Sequence, residues 1–258
     1  MTVITLTTDF GLADGFVGVM KGVLASRAPG ANVIDLTHDV PPQNVIAGAL
    51  VLRSAVPYFP AGSIHVAVVD PGVGSARRAL CVETARGLFV GPDNGLLTLA
   101  ADVVGIRRVI HVTNERHFLA PRSATFHGRD VFAPVAAALA TGADPGALGP
   151  AIEDPVRLAV PAVERTSAGL LGQVLYVDHF GNLITNLGVE CLADPARAAL
   201  SIRGARIESV APTYSAVEPG RLVAVIGSWG LLEIAVRDGS AARVLGAAAG
   251  TGVTVHPG

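Results

Sequence analysis

The sequence contains only two cysteines, Cys81 and Cys191, and they lie far apart along the chain. Neither the close cysteine spacing of zinc and redox motifs nor the dense cysteine pattern of a small secreted domain is present. The chain also begins directly on the apolar run Val3–Leu6, without a basic segment followed by an apolar stretch. These features predict free thiols and a cytoplasmic location.

Charge is also scarce, at 16% of residues, and the formal net charge is −2. The only basic pairs are Arg77–Arg78 and Arg107–Arg108, so nothing indicates binding to a phosphate backbone. Half of the residues are hydrophobic, yet no uninterrupted run approaches the roughly 18 residues that a membrane span needs. We expect this apolar excess to be buried in the core and in contacts between subunits, which predicts a homo-oligomer.

Several motifs that carry common chemistry are missing. There is no G-x-G-x-x-G or G-x-x-x-x-G-K-S/T loop for phosphate groups and no G-x-S-x-G elbow for a nucleophilic serine. Asp70, His127 and the pair His38–Asp39 have the chemistry of metal ligands, but no His-Glu-His spacing on a helix accompanies them. The sequence therefore predicts neither a metal nor a cofactor.

The first part of the chain alternates between strand and helix patterns. Val3–Thr7 is a short β-branched run, residues 14–28 place apolar side chains at helical spacing, and Ser63–Val69 is almost wholly apolar, as in a strand buried on both faces. Such alternation predicts a sheet with helices packed against it.

The helical pattern disappears in the last third of the chain. Short apolar runs there are separated by Gly, Pro and Asn turns, which is typical of a small antiparallel barrel or sandwich. The predicted organisation is an α/β N-terminal domain over residues 1–155, a linker over 156–168 and an all-β C-terminal domain over 169–258.

Short polar clusters punctuated by glycine follow the apolar runs. In open α/β sheets, ligands bind in the crevice outside the carboxyl ends of the strands, so these positions favour a site. The clusters are Thr7–Gly11, Asp70–Gly74, Gly91–Gly95, His127–Asp130 and Asp178–Asn182.

Individual residues in these clusters have two interpretations. Asp9 could accept hydrogen bonds from a vicinal diol, or form a turn or helix cap ahead of Asp14. Asp70 is followed by Arg77, which could fold back onto it, and His127 adds an ionisable imidazole from a separate segment. Together they offer a base, a cation and a proton relay; the alternative is a structural ion pair and a core histidine.

The order and spacing of six clusters resemble the S-adenosylmethionine (SAM) hydroxide adenosyltransferases, also called SAM hydrolases, which are related to the SAM-dependent fluorinase and chlorinase. The resemblance implies an α/β N-terminal domain with a central, mostly parallel sheet flanked by helices, a smaller β-barrel C-terminal domain and a homotrimer. It also implies a site between the N-terminal domain of one subunit and the C-terminal domain of the next. The clusters are Thr8–Gly11, Asp70–Gly74, Pro92–Gly95, Phe126–Asp130, Asp178–Asn186 and Gly227–Ala235.

The same resemblance implies roles for individual residues. Asp70, Arg77 and His127 match a triad that holds water. The chain departs from the related halogenases at Val236–Asp238, where those enzymes place other residues against adenine. The implied substrate contacts are Asp9 for the ribose diol, Asp14 for the methionine end, Phe180 and Asn182 for the adenine side, Ser228 for the methionine carboxylate, and also Asp93, Asn94 and Glu233.

The expected reaction is hydrolysis of SAM to adenosine and methionine by in-line attack of water or hydroxide on the ribose C5′, with SAM as substrate and no cofactor. An ionised Asp70 at the nucleophile position would repel a halide, and the bulk of His127 would fill the space that a halide needs. Three alternatives stay open: a SAM or adenosine binding module without turnover, a SAM-dependent halogenase, and a metal-assisted hydrolase of a nucleotide or small ester.

Overall fold

The computed structural model describes residues 1–192 and 194–256. The chain divides into two compact units, Met1–Leu158 and Ala159–Gly258. The first unit contains β1 (Val3–Thr8), α1 (Phe16–Arg27), β2 (Asn32–Thr37), α2 (Val45–Ala55), β3 (Ser63–Val68), β4 (Ala79–Thr84), β5 (Gly87–Pro92), α3 (Leu96–Ala101), β6 (Ile106–His111), α4 (Ala133–Ala140) and β7 (Ala151–Ile152).

The seven strands of the first unit form one sheet in the order β2-β1-β3-β5-β4-β6-β7. The pairings of β2, β1, β3 and β5 are parallel, whereas those of β5, β4, β6 and β7 are antiparallel. The sheet is therefore mixed. Its direction reverses at β4 and β5 because only Ala85 and Arg86 join them, and so short a connection can link only antiparallel strands.

The central strands of this sheet are covered on both faces, which explains their apolar sequence. Every residue of β3 is buried. On one face, Ile4, Leu6 and Val66 share a core cluster with residues of α1 and α4. On the other face, α2 packs against α3, and Gly48 of α2 approaches Val69. Successive side chains of a strand alternate between faces, so a strand buried on both sides needs apolar residues throughout.

The second unit is built almost entirely from strands around one apolar core. Its sheet follows the order β12-β11-β16-β9-β10-β15-β14-β13, with β8 added beside β9. All pairings are antiparallel except that of β13 with β14. The elements are β8 (Glu164–Thr166), β9 (Gly169–Val177), β10 (Leu183–Gly188), β11 (Leu200–Ile202), β12 (Ala205–Ile207), β13 (Val210–Ala211), β14 (Leu222–Ile226), β15 (Leu231–Val236), α5 (Ala241–Leu245) and β16 (Gly252–Val255).

This second sheet curls until β12, near one end, comes close to β14, near the other, so it is nearly closed and barrel-like. Strand β8 lies within the segment 156–168 that the sequence predicts as a linker. The helices in the described part of the chain include none that is both long enough and apolar enough to cross a membrane. The predicted boundaries 1–155, 156–168 and 169–258 stay predictions.

Candidate active site

The parallel register of β1 and β3 brings Asp9 and Asp70 to the same edge of the first sheet. Thr8 at the end of β1 pairs with Val68 at the end of β3. Asp9 follows Thr8 directly and Asp70 comes two residues after Val68. Two carboxylates that are far apart in sequence therefore meet where the strands end, as expected for the ligand-binding crevice of such a sheet.

A cavity of about 320 Å³ opens at this edge, within the first unit. Its volume is at the lower end of the range for small-molecule sites, roughly 300–1,000 Å³. Phe10, Phe16 and Phe126 form an apolar wall of edge-to-face rings with centroids 5.3–6.0 Å apart. The lining residues are Asp9, Phe10, Phe16, Gln43, Val68, Asp70, Pro71, Val73, Thr125, Phe126, His127 and Gly128.

The residues Asp70, Arg77 and His127 are brought together by hydrogen bonds. Arg77 Nε donates to both oxygens of Asp70 at 3.0 Å, and Arg77 Nη2 donates to Asp70 Oδ2 at 2.5 Å. The same Nη2 lies 2.8 Å from His127 Nδ1. The side chains of Asp70 and Arg77 are only 5% and 11% exposed, so this ion pair is largely desolvated.

The turn after β3 folds Arg77 back onto Asp70. Val73 N–H donates to the Asp70 carbonyl, and Ser75 N–H donates to the Gly72 carbonyl. The guanidinium of Arg77 then lies over the Phe132 ring, 5.2 Å from its centroid. A cation over an aromatic face is attracted by the ring quadrupole, so Phe132 supports the guanidinium in this position.

His127 comes from a second loop that packs closely against this turn. Gly74 has a φ of +77°, and a Cβ atom there would lie 2.5 Å from the Ala124 carbonyl oxygen. Only glycine allows the two loops to approach so closely. His127 itself stands at the start of a π-helical turn, Gly128–Phe132, which continues into α4. Such turns are frequent at functional sites.

The hydrogen bond from Arg77 determines the tautomer of His127. A guanidinium has only donors, so His127 Nδ1 must be unprotonated and a neutral ring carries its proton on Nε2. The pKa of His127 is lowered from the ordinary 6.5, first by burial and then by the charges of Arg77 and Arg122, while Asp70 and Asp130 act in the opposite direction. At neutral pH the imidazole is therefore neutral.

Asp9 is fixed on one side and open on the other. Its Oδ2 accepts a hydrogen bond of 2.8 Å from the backbone N–H of Gln43. The preceding Thr8 hydroxyl lies 2.8 Å from His38 Nδ1 and accepts the Phe10 N–H. Within the described residues Asp9 Oδ1 has no hydrogen-bond partner, so it is available to a ligand in the cavity that Asp9 lines.

Asp14, Asp93 and Asn94, which the sequence predicts as substrate contacts, do not line this cavity. Asp14 is exposed and lies two residues before α1, which begins at Phe16. Its contact with the methionine end stays a prediction.

The polar groups of Asp93 and Asn94 serve the fold. Asp93 accepts hydrogen bonds from Arg78 Nε and from Val156 N–H. Asn94 Nδ2 donates to the Val69 carbonyl, one residue before Asp70. Asn94 therefore helps to fix the backbone that carries Asp70. A substrate contact by Asp93 or Asn94 stays a prediction.

The second unit carries the four remaining predicted contacts: Phe180, Asn182, Ser228 and Glu233. Phe180 is 73% exposed at a turn. Asp178 organises that turn, because its carboxylate accepts the N–H groups of Phe180 and Asn182 and the Asn182 side-chain amide. Ser228 is exposed in the turn between β14 and β15, beside Trp229, whose ring stacks on Tyr176. Their substrate contacts also stay predictions.

Glu233 is buried in β15 and accepts a 2.6 Å hydrogen bond from the Tyr214 hydroxyl. Burial raises the pKa of Glu233 above the ordinary 4.5, the Tyr214 hydrogen bond acts in the opposite direction, and the nearby Asp178 charge raises it further. In contrast to Asp70, this carboxyl has a neutral partner.

Two polar residues of the cavity, Gln43 and Thr125, belong to none of the polar clusters that the sequence shows. The sequence does contain a signal that places Gln43 near Asp9. Pro41 and Pro42 end the segment after β2, Asn44 caps α2, and β2 lies beside β1. The connection from β2 to α2 must therefore pass the strand edge that carries Asp9. In the part of the chain that the structure describes, no group of three or more His, Cys, Asp or Glu residues is arranged to hold a metal ion.

Comparison with known proteins matches both units to one family. The family model of the SAM hydroxide adenosyltransferase N-terminal domain matches residues 4–149, and that of the C-terminal domain matches residues 172–254. A protein of Salinispora tropica named (R)-S-adenosyl-L-methionine hydrolase is 48% identical over 99% of this chain and 98% of its own length. A protein of the same name from Thermus thermophilus is 46% identical over 93% of each chain.

More distant relatives and solved structures agree with these matches. A fluorinase of an Actinoplanes species is 30% identical over 72% of this chain and 71% of its own length. The crystal structure of an uncharacterized conserved protein from Thermotoga maritima is 34% identical, covers 99% of this chain and 100% of its own, and superposes with a TM-score of 0.90. A conserved hypothetical protein from Thermus thermophilus is 41% identical with a TM-score of 0.80, at 99% and 100% coverage. Because both family models and full-length relatives match, the protein belongs to the SAM hydroxide adenosyltransferase family.

Proposed function

We propose that this protein is an enzyme that hydrolyses S-adenosyl-L-methionine to adenosine and L-methionine. Relatives that are 43–49% identical to it are named (R)-S-adenosyl-L-methionine hydrolase. The observation that carries the proposal is the group Asp70–Arg77–His127, two of whose members line the cavity that also contains Asp9. A mere binding module would need no such group.

The reaction places few chemical demands on the protein. The sulfonium leaves the ribose C5′ as the neutral thioether of methionine, so no general acid is required. Water attacks C5′ from the side opposite sulfur, the C5′–S bond breaks with its electron pair going to sulfur, and the resulting oxonium loses a proton to give the 5′-hydroxyl. The enzyme must therefore align water and carbon, about 3–3.5 Å apart, and exclude other solvent.

Asp70 and His127 divide the work of holding the water. Both line the cavity, and their hydrogen-bonding groups are complementary. The Asp70 carboxylate accepts a hydrogen bond from the water, and the Nε2–H of neutral His127 donates one to the water oxygen. Asp70 is then the acceptor for the proton that the oxonium releases. The water is thus oriented with a lone pair free for C5′.

Arg77 acts as the positioning residue of this group. It is not among the cavity-lining residues, and its guanidinium joins the Asp70 carboxylate to His127 Nδ1. It therefore fixes the direction of the carboxylate and the tautomer of the imidazole together. Since the charges of Asp70 and Arg77 compensate each other and His127 is neutral, the group suits a neutral dipolar nucleophile.

The finer details follow the family resemblance as proposals. We infer an α/β N-terminal domain, a β-barrel C-terminal domain and a homotrimeric enzyme that uses SAM as substrate without a cofactor. Asp9 binds the ribose diol, and Asp14 contacts the methionine end. Phe180 and Asn182 contact the adenine side, and Ser228 contacts the methionine carboxylate. Asp93, Asn94 and Glu233 are further substrate contacts. The cytoplasmic location stays a prediction.

Turnover of SAM in H₂¹⁸O with a metal chelator present tests the proposal, with products analysed by mass. We expect adenosine that carries the heavy isotope at its 5′-hydroxyl, together with unlabelled methionine. Absence of turnover, or label in methionine, contradicts hydrolysis at C5′. Dependence on metal would favour the metal-assisted alternative.

Addition of fluoride or chloride distinguishes a hydrolase from a halogenase. The halogenase is the alternative that the similarity to a fluorinase raises. We expect no 5′-halo-adenosine, because the ionised Asp70 carboxylate at the cavity repels an anion. Formation of the halogenated product at a rate comparable to that of adenosine contradicts the assignment of Asp70 as the water-binding group.

A further inference from the structure

Gln43 has an unusual backbone conformation at the edge of the cavity. Its φ is +64°, in the left-handed region that residues other than glycine seldom adopt. Among the described residues only Arg203 and Asp238 share this feature, and both lie in the second unit. Non-glycine residues held in this region cluster at ligand sites, where the surrounding structure maintains the strain.

The strained backbone serves Asp9. With Gln43 in this conformation, its N–H points to Asp9 Oδ2 at a distance of 2.8 Å. That hydrogen bond fixes the carboxylate, while Oδ1 has no partner among the described residues. Glycine would place the same backbone N–H beside Asp9 with less strain, and so, to a smaller extent, would asparagine. The backbone conformation alone therefore does not explain why this residue is a glutamine.

The side chain of Gln43 contributes little to the fold. The residue is exposed, and its side-chain amide makes no hydrogen bond in the described part of the chain. It does line the cavity, together with Asp9. A long amide side chain that neither packs in the core nor bonds to the protein, and that borders a cavity beside a fixed carboxylate, is free to bind a ligand.

We propose that the Gln43 side chain is a specificity-determining contact for the substrate sugar, acting with Asp9 on the vicinal hydroxyls; this rests on the proposed function. Each hydroxyl of a diol both donates and accepts a hydrogen bond. Asp9 can only accept, whereas the glutamine amide supplies the missing donor. The pair therefore selects ribonucleosides over 2′-deoxy- or 3′-deoxynucleosides, since loss of a hydroxyl leaves the site's polar groups unpaired.

The test compares kcat/KM for SAM and for its 2′-deoxy and 3′-deoxy analogues in the wild type and in Gln43→Gly. Glycine keeps the N–H to Asp9, relieves the left-handed strain and deletes only the side chain. We expect kcat/KM for SAM to fall about tenfold, the value for at least one deoxy analogue to change less than about twofold, and the preference for ribose to fall accordingly.

Arg203→Gly is the matched control, because it relieves the same strain in an exposed turn of the second unit. We expect it to leave all three kcat/KM values unchanged. An undiminished preference for ribose over both analogues in Gln43→Gly, with a melting temperature no lower than that of the wild type, overturns the inference.

A binding measurement separates this inference from the proposed function. If the wild type does not hydrolyse SAM, the proposed function fails, and the ratios of Kd values for adenosine, 2′-deoxyadenosine and 3′-deoxyadenosine then decide the role of Gln43. A ratio that falls in Gln43→Gly supports a sugar contact. Equal ratios in the two proteins, or no nucleoside binding by the wild type, overturn it.

Discussion

The two units of the protein each bury a carboxyl group that the sequence assigns to the site, and they treat it differently. In the first unit, Asp70 is paired with the guanidinium of Arg77, which stays charged at every accessible pH. In the second unit, the Tyr214 hydroxyl is the only side-chain partner of the Glu233 carboxyl group among the described residues, and burial raises the pKa of Glu233. The first carboxyl group therefore faces a permanent cation, and the second has a neutral donor and a raised pKa.

The two environments suit the two carboxyl groups to different chemistry. A carboxylate with a fixed cation can accept a proton from a water that attacks carbon and can hold that water beforehand. A carboxyl with a raised pKa and a neutral donor is better suited to a hydrogen bond than to a permanent charge. We therefore expect substitutions at the first pair to change turnover and those at the second to change stability and its pH dependence.

The largest effect is expected for Asp70→Asn. The amide cannot accept the proton released after attack, and its NH₂ group faces the Arg77 guanidinium, so kcat should fall by about 10²–10⁴-fold. Steady-state kinetics give kcat, and calorimetric titration should show SAM affinity within about threefold of the wild type, since binding would not depend on the water acceptor.

Asp154→Asn is the control for that substitution, because Asp154 is also paired with an arginine, Arg78, but is 80% exposed outside the cavity. Its kcat should remain that of the wild type. If Asp70→Asn loses SAM affinity in proportion to its activity, Asp70 is a ligand contact and the comparison between the two carboxyl groups fails.

Arg77→Lys should have the next largest effect. Lysine keeps the charge but cannot donate to both Asp70 oxygens and to His127 at once, so we expect kcat to fall about 10–100-fold while KM changes little. Steady-state kinetics measure both constants.

Arg78→Lys is the matched control, because Arg78 also binds a buried aspartate, Asp93, outside the cavity. This variant should have a lower melting temperature and an unchanged kcat. Equal losses of kcat in the two variants would contradict a positioning role.

The pH dependence of kcat gives a smaller effect with a definite sign. The pKa of His127 is lowered below 6.5, chiefly by burial and the Arg77 charge, and the neutral ring is the form that accepts the Arg77 hydrogen bond. Activity should therefore be constant at neutral pH and fall as the pH drops through that lowered pKa. His127→Gln should lose this acid limb together with most of the activity. An acid limb that persists unchanged in the variant would assign it to another group.

The smallest expected effect concerns the second unit. Tyr214→Phe removes the donor to Glu233 and should destabilise the unit by about 1–3 kcal/mol. A group whose pKa is raised by folding stabilises below its unfolded pKa and loses this contribution as the pH rises through the folded value. The Tyr214 hydroxyl stabilises the ionised form of Glu233 more than the neutral form. Tyr214→Phe should therefore destabilise the protein more at a pH above the raised pKa of Glu233 than at pH 4. Melting curves across this range measure it; a pH-independent change would contradict the Glu233 assignment.

Some parts of the site are predictable from local sequence and others depend on register. The turn of proline and glycine after Asp70 indicates that Arg77 can return to the carboxylate, and the structure has that contact. The meeting of His127 with Arg77 depends on the packing of two loops through Gly74 and Ala124, which no local pattern encodes. The resemblance to the family supplied that pairing.

The polar motif after β5 shows that a predicted substrate contact can also have a structural role. Asp93 and Asn94 have the composition of a ligand site, yet their side chains hold Arg78, the Val156 backbone and the Val69 carbonyl. The same residue types that bind ligands also close turns and cap helices, so composition cannot separate the two uses. Gln43 is the converse case, because its position depends on a left-handed backbone that a glutamine does not signal.

The antiparallel half of the first sheet also depends on a local detail. The family resemblance implies a mostly parallel sheet, but the two-residue connection between β4 and β5 makes these strands an antiparallel hairpin. The hairpin leaves β1 and β3 parallel, so the edge that carries Asp9 and Asp70 is unaffected.

A crystal structure of the wild-type enzyme with adenosine and methionine shows whether Asp70 and His127 hold the attacking water, because the adenosine 5′-oxygen is the atom that entered as water. We expect this oxygen within hydrogen-bond distance, about 2.6–3.2 Å, of an Asp70 carboxylate oxygen and of His127 Nε2, with the methionine sulfur on the opposite side of C5′. A 5′-oxygen directed away from both residues, or a sulfur on the same side as them, would contradict it.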